Sequence, residues 1–186
     1  MENNGLVAMT GSGFGDAEGV GEGSDLSGGA MCSGETYGTH YPWGYKRVEL
    51  HSDNRLYITD AHAAYGENCT DATEWTPALI VDGKNVAGED TLYTALNPRT
   101  CIGQTRDEAS MFLGIEGRLL DSAGCNAVEC ANILERYGAY QAMNVDGGTS
   151  AIIWYQGKYI MRCSNTRLDE GRLLPNAWVY CAETVE

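Results

Sequence analysis

Residues 143–150 read Met-Asn-Val-Asp-Gly-Gly-Thr-Ser. The run 142–145 is short and mostly apolar, as in a buried strand. It ends on a carboxylate, Asp146. Gly147 and Gly148 follow, and glycine accepts positive φ and lets another chain or a ligand approach closely. Two hydroxyls come next, Thr149 and Ser150. A carboxylate at a strand end, beside bare backbone amides and hydroxyls, is a place for chemistry on a polar substrate. The plainer alternative is that Asp146 only accepts hydrogen bonds from its own turn.

The neighbouring segments must position that turn. Residues 127–137 have helical spacing, with Ala127, Cys130, Ala131 and Leu134 on one apolar face. Asn126 and Glu129 form a capping box, and Gly138 supplies a left-handed stop. The order strand 111–115, helix 127–137, strand 141–145 suggests a right-handed crossover that delivers Asp146 at a strand's carboxyl end. After the turn, 151–155 and 159–162 form a hairpin about Gln156-Gly157, which holds Asp146 in place. A strand at 177–181 closes the domain. Upstream, the expected strands are 6–9, 47–51 paired with 56–59, 78–81 paired with 84–86 about Asp82-Gly83, and 100–103. Glu116-Gly117 turns the chain into 118–120. The fold class expected is α+β: a single domain over 1–186, a mixed β-sheet with one main helix packed on it and several hairpins.

Half of the 24 glycines fall in 5–44, interleaved with Asp16, Glu18, Glu22 and Asp25. The acids do not make an EF-hand loop, because Val20 stands where an oxygen ligand is needed. A solvated loop over 11–44 is expected.

Composition narrows the class. The net charge of −14 disfavours a nucleic-acid polymer or an anionic membrane as partner. No apolar run approaches the roughly 20 residues that cross a bilayer. The start has no basic, apolar leader, so the chain is extracellular or phage-associated if processed, and otherwise cytoplasmic. Seven cysteines at 32, 69, 101, 125, 130, 163 and 181 contain no Cys-x-x-Cys, so a structural zinc site is not expected. Cys125 and Cys130 are spaced unfavourably for a mutual bridge. His40, His51 and His62 show no ligand spacing and read as surface or loop residues. His40 also lies among Tyr41, Trp43 and Tyr45, a group able to stack on a sugar ring.

Several motifs fall in one order. Ala8-Met9-Thr10-Gly11-Ser12-Gly13-Phe14 comes first, then Asn97-Pro98-Arg99-Thr100-Cys101-Ile102-Gly103, then helix 126–138. Asn144 to Ser150 follows, then Trp154-Tyr155-Gln156-Gly157-Lys158, Arg162-Cys163-Ser164-Asn165 and Pro175-Asn176-Ala177. Over residues 6–181 the set resembles the phosphodiester glycosidase family. Three positions depart from its pattern: Thr10 replaces an Asn, Thr149 a glycine and Cys163 a proline.

The resemblance implies hydrolysis of a glycosyl phosphodiester, a sugar-1-phosphate linkage, in a cell-wall, exopolysaccharide or similar glycan. Such reactions pass through an oxocarbenium-like transition state. They need a base or nucleophile at the anomeric carbon and cations on the departing phosphate. Asp146 is the candidate for the first role. Arg99 and Arg162 are candidates for the second, since a guanidinium fork matches phosphate oxygens. Arg172 is a weaker one, expected at the surface. Amides about Gly147 and Gly148 would add an anion nest. Thr10, Thr149 and Ser150 would bond sugar or phosphate, and Asn144 belongs either to the site or to the core. No cofactor is required by the sequence, and a divalent-metal requirement stays open. The expected partner is a phosphorylated sugar or glycan, and a homo-oligomer is compatible with it. The alternative is a non-catalytic binding protein for a phosphorylated sugar or nucleotide ligand on the same fold, phage-encoded.

Overall fold

The structure is a computed structural model that describes residues 4–15, 25–41, 44–88, 93–168 and 171–181. Three antiparallel sheets and one short helix make up these residues. The first sheet has the order β13-β12-β1-β14, from Lys158–Tyr159, Ile153–Tyr155, Gly5–Thr10 and Ala177–Cys181. The second has the order β10-β9-β11-β7-β8, from Ser110–Ile115, Arg99–Thr105, Ala139–Asn144, Ala78–Val81 and Lys84–Asn85. The third has the order β3-β2-β6-β4-β5, from Glu35–Tyr37, Ala30–Cys32, Cys69–Trp75, Lys46–His51 and Leu56–Asp60.

This corrects the expected α+β class. The molecule is mainly β, with α1, Ala127–Arg136, as its one α-helix among the described residues. The expected mixed sheet is also replaced: each strand pairing among these residues is antiparallel. The physical reason is that hairpins dominate the connectivity, and a hairpin returns the chain antiparallel. The strand–helix–strand unit does exist. However, β10 and β11 are not neighbours; β9 lies between them and runs antiparallel to both.

Alternation along β9 and β11 divides the core. Cys101 and Ala142 face α1, with Leu79, Ile80, Ala131 and Leu134. Ile102 and Met143 face the other way, toward Met9, Val48, Ile153 and Trp178. The second sheet is thus covered by the helix on one face and by strands of the other two sheets on the opposite face, the period-2 pattern of a doubly buried sheet. The helix has its capping box as expected: Glu129 N–H donates to Asn126 Oδ1 at 2.9 Å, and Asn126 N–H to Glu129 Oε2 at 2.8 Å. Leu134, 2% exposed, is the largest of the four buried helix side chains packed in this cluster. Leu134→Ala is expected to cost about 2–5 kcal/mol by removing buried methyls and leaving a void, measured by urea unfolding.

Cys125 and Cys130 are free, buried thiols whose Sγ atoms lie 2.9 Å apart. Their mutual contact and burial push the Cys125 thiol above its ordinary range. The acids Asp16, Glu18 and Glu22 of the glycine-rich region lie outside the described residues.

Candidate active site

Asp146 stands on backbone held from two strands. Val145 N–H donates to the Thr100 carbonyl at 3.0 Å, and Asp146 N–H to the Gly11 carbonyl at 3.2 Å. The Thr100 hydroxyl donates to the Asp146 carbonyl. The carboxylate therefore projects from a junction between β9, β11 and the end of β1.

The two glycines are required for different reasons. At Gly147 a Cβ would lie 2.8 Å from the Pro98 carbonyl oxygen, so the position demands close approach. Gly148 has φ +62°, the left-handed region. Its N–H donates to Pro98 O at 2.9 Å. Residues Gly148–Ser150 then make a single 3₁₀ turn.

Around this turn lies a cavity of about 230 Å³ lined by Phe14, Arg118, Asp146, Gly147, Gly148, Thr149, Ser150 and Arg172. Six sequence candidates meet there: Asp146, Gly147, Gly148, Thr149, Ser150 and Arg172, the last half-buried rather than at the surface. Arg118 joins them. The Nε and Nη2 atoms of Arg118 donate to Asn97 Oδ1 at 3.1 and 2.8 Å. Its Nη1 and Nη2 lie 3.3 and 3.4 Å from where a Gly148 Cβ would stand. The Arg172 guanidinium sits 4.7 Å over the Phe14 ring, a cation–π contact that fixes its plane. Two larger cavities, of about 590 and 600 Å³, are lined mainly by apolar side chains such as Val7, Phe112 and Ile153, or Leu26, Met31 and Trp178. Charge converges in the small cavity, which makes it the candidate site.

The remaining candidates lie elsewhere. Thr10 is buried; its hydroxyl donates to the Ser150 carbonyl and accepts from Ile152 N–H at 3.1 Å. It clamps β1 to the site turn and does not line the cavity. Arg99, 3% exposed, donates to the Cys125 carbonyl at 3.2 Å and the Ala95 carbonyl at 2.9 Å. It braces the floor. Asn144 is buried and donates from Nδ2 to the Thr76 carbonyl at 2.8 Å. Arg162 pairs with Glu116 and Asp121, at 2.8 Å from Nε to Glu116 Oε2 and 3.1 Å from Nη1 to both Asp121 oxygens. The expected amide nest is also differently arranged. The N–H groups of residues 146, 148, 150 and 151 all donate to protein carbonyls. Positive charge in the cavity comes from Arg118 and Arg172.

Arg162 nevertheless serves the site at one remove. Glu116 and Asp121 bracket Arg118 on one loop, and Cys163 and Ser164, next to Arg162, donate to the carbonyl and hydroxyl oxygens of Thr149 at 3.8 and 3.4 Å. Its guanidinium holds the Glu116 and Asp121 carboxyls below the usual range. A lowered pKa means the pairing is complete above that range and lost as pH falls through the lowered values. Arg162→Ala is therefore expected to reduce turnover about tenfold or less, below the loss from removing a transition-state donor. The stability difference from wild type should shrink in acid. Thermal melts of both proteins from pH 7 to pH 3 check the second point; a constant difference would remove the latch role.

Aromatic side chains gather at the start of β4. Tyr41 stacks on Tyr45 at 4.4 Å, and Tyr45 meets Trp75 edge-on at 5.3 Å. Burial chiefly raises the Tyr45 and Tyr93 hydroxyl pKa values, and the Asp146 charge adds to both. Both tyrosines therefore stand within electrostatic reach of the carboxylate. Trp43 lies outside the described residues. His40 and His62 are exposed loop residues, as expected, and His40 Nδ1 contacts Glu74. His51 departs from the expectation: it lies on β4 with its Nε2 2.8 Å from Glu49 Oε2, because the fully buried Glu49 needs partners.

Sequence missed Arg118, whose φ of +58° puts it on a turn where a strand was expected. The signal present was Gly117 before it and Asn97, already inside a matched motif, as its partner.

Solved structures share this fold. A catalytic domain of zebrafish N-acetylglucosamine-1-phosphodiester alpha-N-acetylglucosaminidase, auto-inhibited by its pro-peptide, superposes with a TM-score of 0.78 at 16% identity, covering 98% of this chain and 65% of that one. A hypothetical protein from Synechocystis superposes with a TM-score of 0.51 at 15% identity, covering 87% of this chain and 49% of that one. At these identities the likeness is one of fold. An uncharacterized SPbeta prophage-derived protein of Bacillus subtilis strain 168, YomE, is 32% identical over 90 residues, 47% of this chain and 14% of that protein. The chain thus spans a small part of this curated relative and just under two thirds of the zebrafish structure. The phosphodiester glycosidase family model matches residues 4–181, which takes in all three sheets, the helix and the Asp146 cavity, and the chain belongs to that family.

Proposed function

We propose that the protein hydrolyses a glycosyl phosphodiester at the bond between the anomeric carbon and the phosphate oxygen. The observation that carries this is that one carboxylate and two arginines line a single small cavity. Asp146 is the sole carboxylate among the described lining residues. A second carboxylic acid, which most glycosidases use to protonate the leaving oxygen, is not needed when the leaving group is a phosphate monoester. Its charge is met instead by Arg118 and Arg172. Asp146 acts on the carbon side, as nucleophile or as base toward water. Water adds at the anomeric carbon, the carbon–oxygen bond breaks, and the bonding pair leaves with the phosphate.

Within an acidic chain, the two arginines give the cavity a local field that favours an anion. Tyr45 and Tyr93 stand within electrostatic reach of Asp146, and such side chains could meet a sugar ring. A cell-wall or exopolysaccharide glycosyl phosphate fits such a site. A non-catalytic role in capturing a phosphorylated sugar is favoured by one observation, the commitment of the Thr10 hydroxyl to backbone.

Hydrolysis of a panel of sugar-1-phosphodiesters in ¹⁸O-labelled water separates these readings. Label in the released sugar supports cleavage at carbon. Label in the phosphate would show a phosphodiesterase. Stabilisation by the ligand with no turnover across the panel would leave the binding role.

A further inference from the structure

A second constellation lies on the third sheet, away from the Asp146 cavity. His51 on β4 and Cys69 on β6 are direct partners across the strand pairing. Glu49 is two residues before His51, hence on the same face. One imidazole nitrogen, one sulfur and one carboxylate oxygen from these residues all lie within 4.8 Å of one another. Bonds of about 2.0–2.3 Å to a tetrahedral ion would set such donors roughly 3.5 Å apart. Small side-chain adjustments therefore suffice.

The surroundings are built as a metal site's would be. Glu49 is fully buried, and its Oε1 accepts from Arg47 Nε at 2.8 Å and the Thr59 hydroxyl at 3.1 Å. These bonds orient the carboxylate and leave Oε2 toward His51. The Tyr57 ring packs 4.3 Å from the His51 ring and fixes its plane. Gly66 closes the cradle: its N–H donates to Glu49 Oε2 at 3.1 Å, and a Cβ there would fall 2.7 Å from His51 Nε2. Arg47, Glu49 and Glu74 are each fully buried, and His51 and His40 stand against the two carboxylates.

We propose that Glu49, His51 and Cys69 bind one divalent transition-metal ion of the zinc type. Nitrogen, sulfur and oxygen together suit a borderline ion rather than magnesium or calcium. Binding converts the Cys69 thiol to thiolate, and the proton passes to solvent. The ion's two charges are then met by Glu49 and the thiolate. Three protein ligands leave a fourth position for water or a small anion.

Cobalt(II) and zinc, each as the metal alone, test this on the reduced full chain. One equivalent of cobalt should give the thiolate-to-cobalt charge-transfer band and the intense visible bands of tetrahedral cobalt. One equivalent of zinc should abolish them and slow alkylation of Cys69. Cys69→Ser keeps the six other cysteines, so losing the band in that variant assigns the sulfur. His51→Gln should weaken binding by more than about tenfold, at least the loss seen for an outer partner of a metal ligand. Circular dichroism establishes that each variant is folded, and the alkylation arm needs no variant. Absence of a saturable thiolate band, an unchanged band in Cys69→Ser, or zinc-insensitive alkylation of Cys69 would overturn the site.

Discussion

Asp146→Asn is expected to release sugar about 10²–10⁴-fold more slowly than wild type, the range for removing a positioned base. That corresponds to about 3–5 kcal/mol of lost transition-state stabilisation. The substitution is close to isosteric. The backbone bonds from Asp146 N–H to Gly11 and from Thr100 to the Asp146 carbonyl are independent of the side chain. The variant should therefore fold and melt near wild type. It should also bind the phosphodiester at least as well, because a negative charge is removed from beside an anionic ligand. Single-turnover sugar release and a ligand-induced melting shift measure the two effects. Turnover within a few-fold of wild type would remove Asp146 from the chemistry.

The second large effect is expected at Arg118. Removing a preorganised donor from a developing charge costs about 10²–10³ in kcat, or roughly 2.7–4 kcal/mol. Arg118→Ala should show such a loss on glycosyl phosphodiesters. Arg118→Lys should recover little, since an ammonium cannot make two bonds to Asn97 Oδ1 while facing Gly148. The discriminating control is an aryl glycoside of the same sugar, whose leaving group carries no phosphate. There, wild type and Arg118→Ala should turn over alike, however slowly. Equal losses on both substrates would mean that Arg118 supports the loop and not the departing phosphate.

How far the sequence revealed this site can be read from its arginines. Asp146 and its glycines were legible because a turn that needs close approach and left-handed backbone has a narrow vocabulary. The helix was legible through its capping box, and strand 177–181 and the turn at Asp82-Gly83 through local pattern. The cations were harder. Arg99 and Arg162 stand in matched motifs, yet one is buried against carbonyls and the other is latched by carboxylates. A guanidinium's use is decided by which acceptors reach it in space, and spacing along the chain does not report that.

The fold class failed for a related reason. Strand β6 reads Cys-Thr-Asp-Ala-Thr-Glu-Trp, with Thr73 and Glu74 inside. Glu74 belongs to the Arg47–Glu49–Glu74 cluster and the Thr73 hydroxyl accepts from Trp178 Nε1, so the hydrophobic alternation that marks a strand is missing. Strands β2 and β3 have three residues each, too short to show a period. With those strands unseen, the helix took more weight than one short element deserves.

The Thr10 clamp has a kinetic consequence. Thr10 and Ser150 are 140 positions apart, and β1 lies between β12 and β14. The cavity wall at Phe14, four residues past β1, is therefore assembled from both ends of the described chain. Closing so long a loop is entropically slow, and no local contact repays it early. During synthesis, the partners of β1 emerge only after residue 153, and the second of them only after residue 177. The helix and its sheet can form while β1 still waits. Competence would then arrive as the last event of folding, and a nascent chain would carry Asp146 well before it carried an active site.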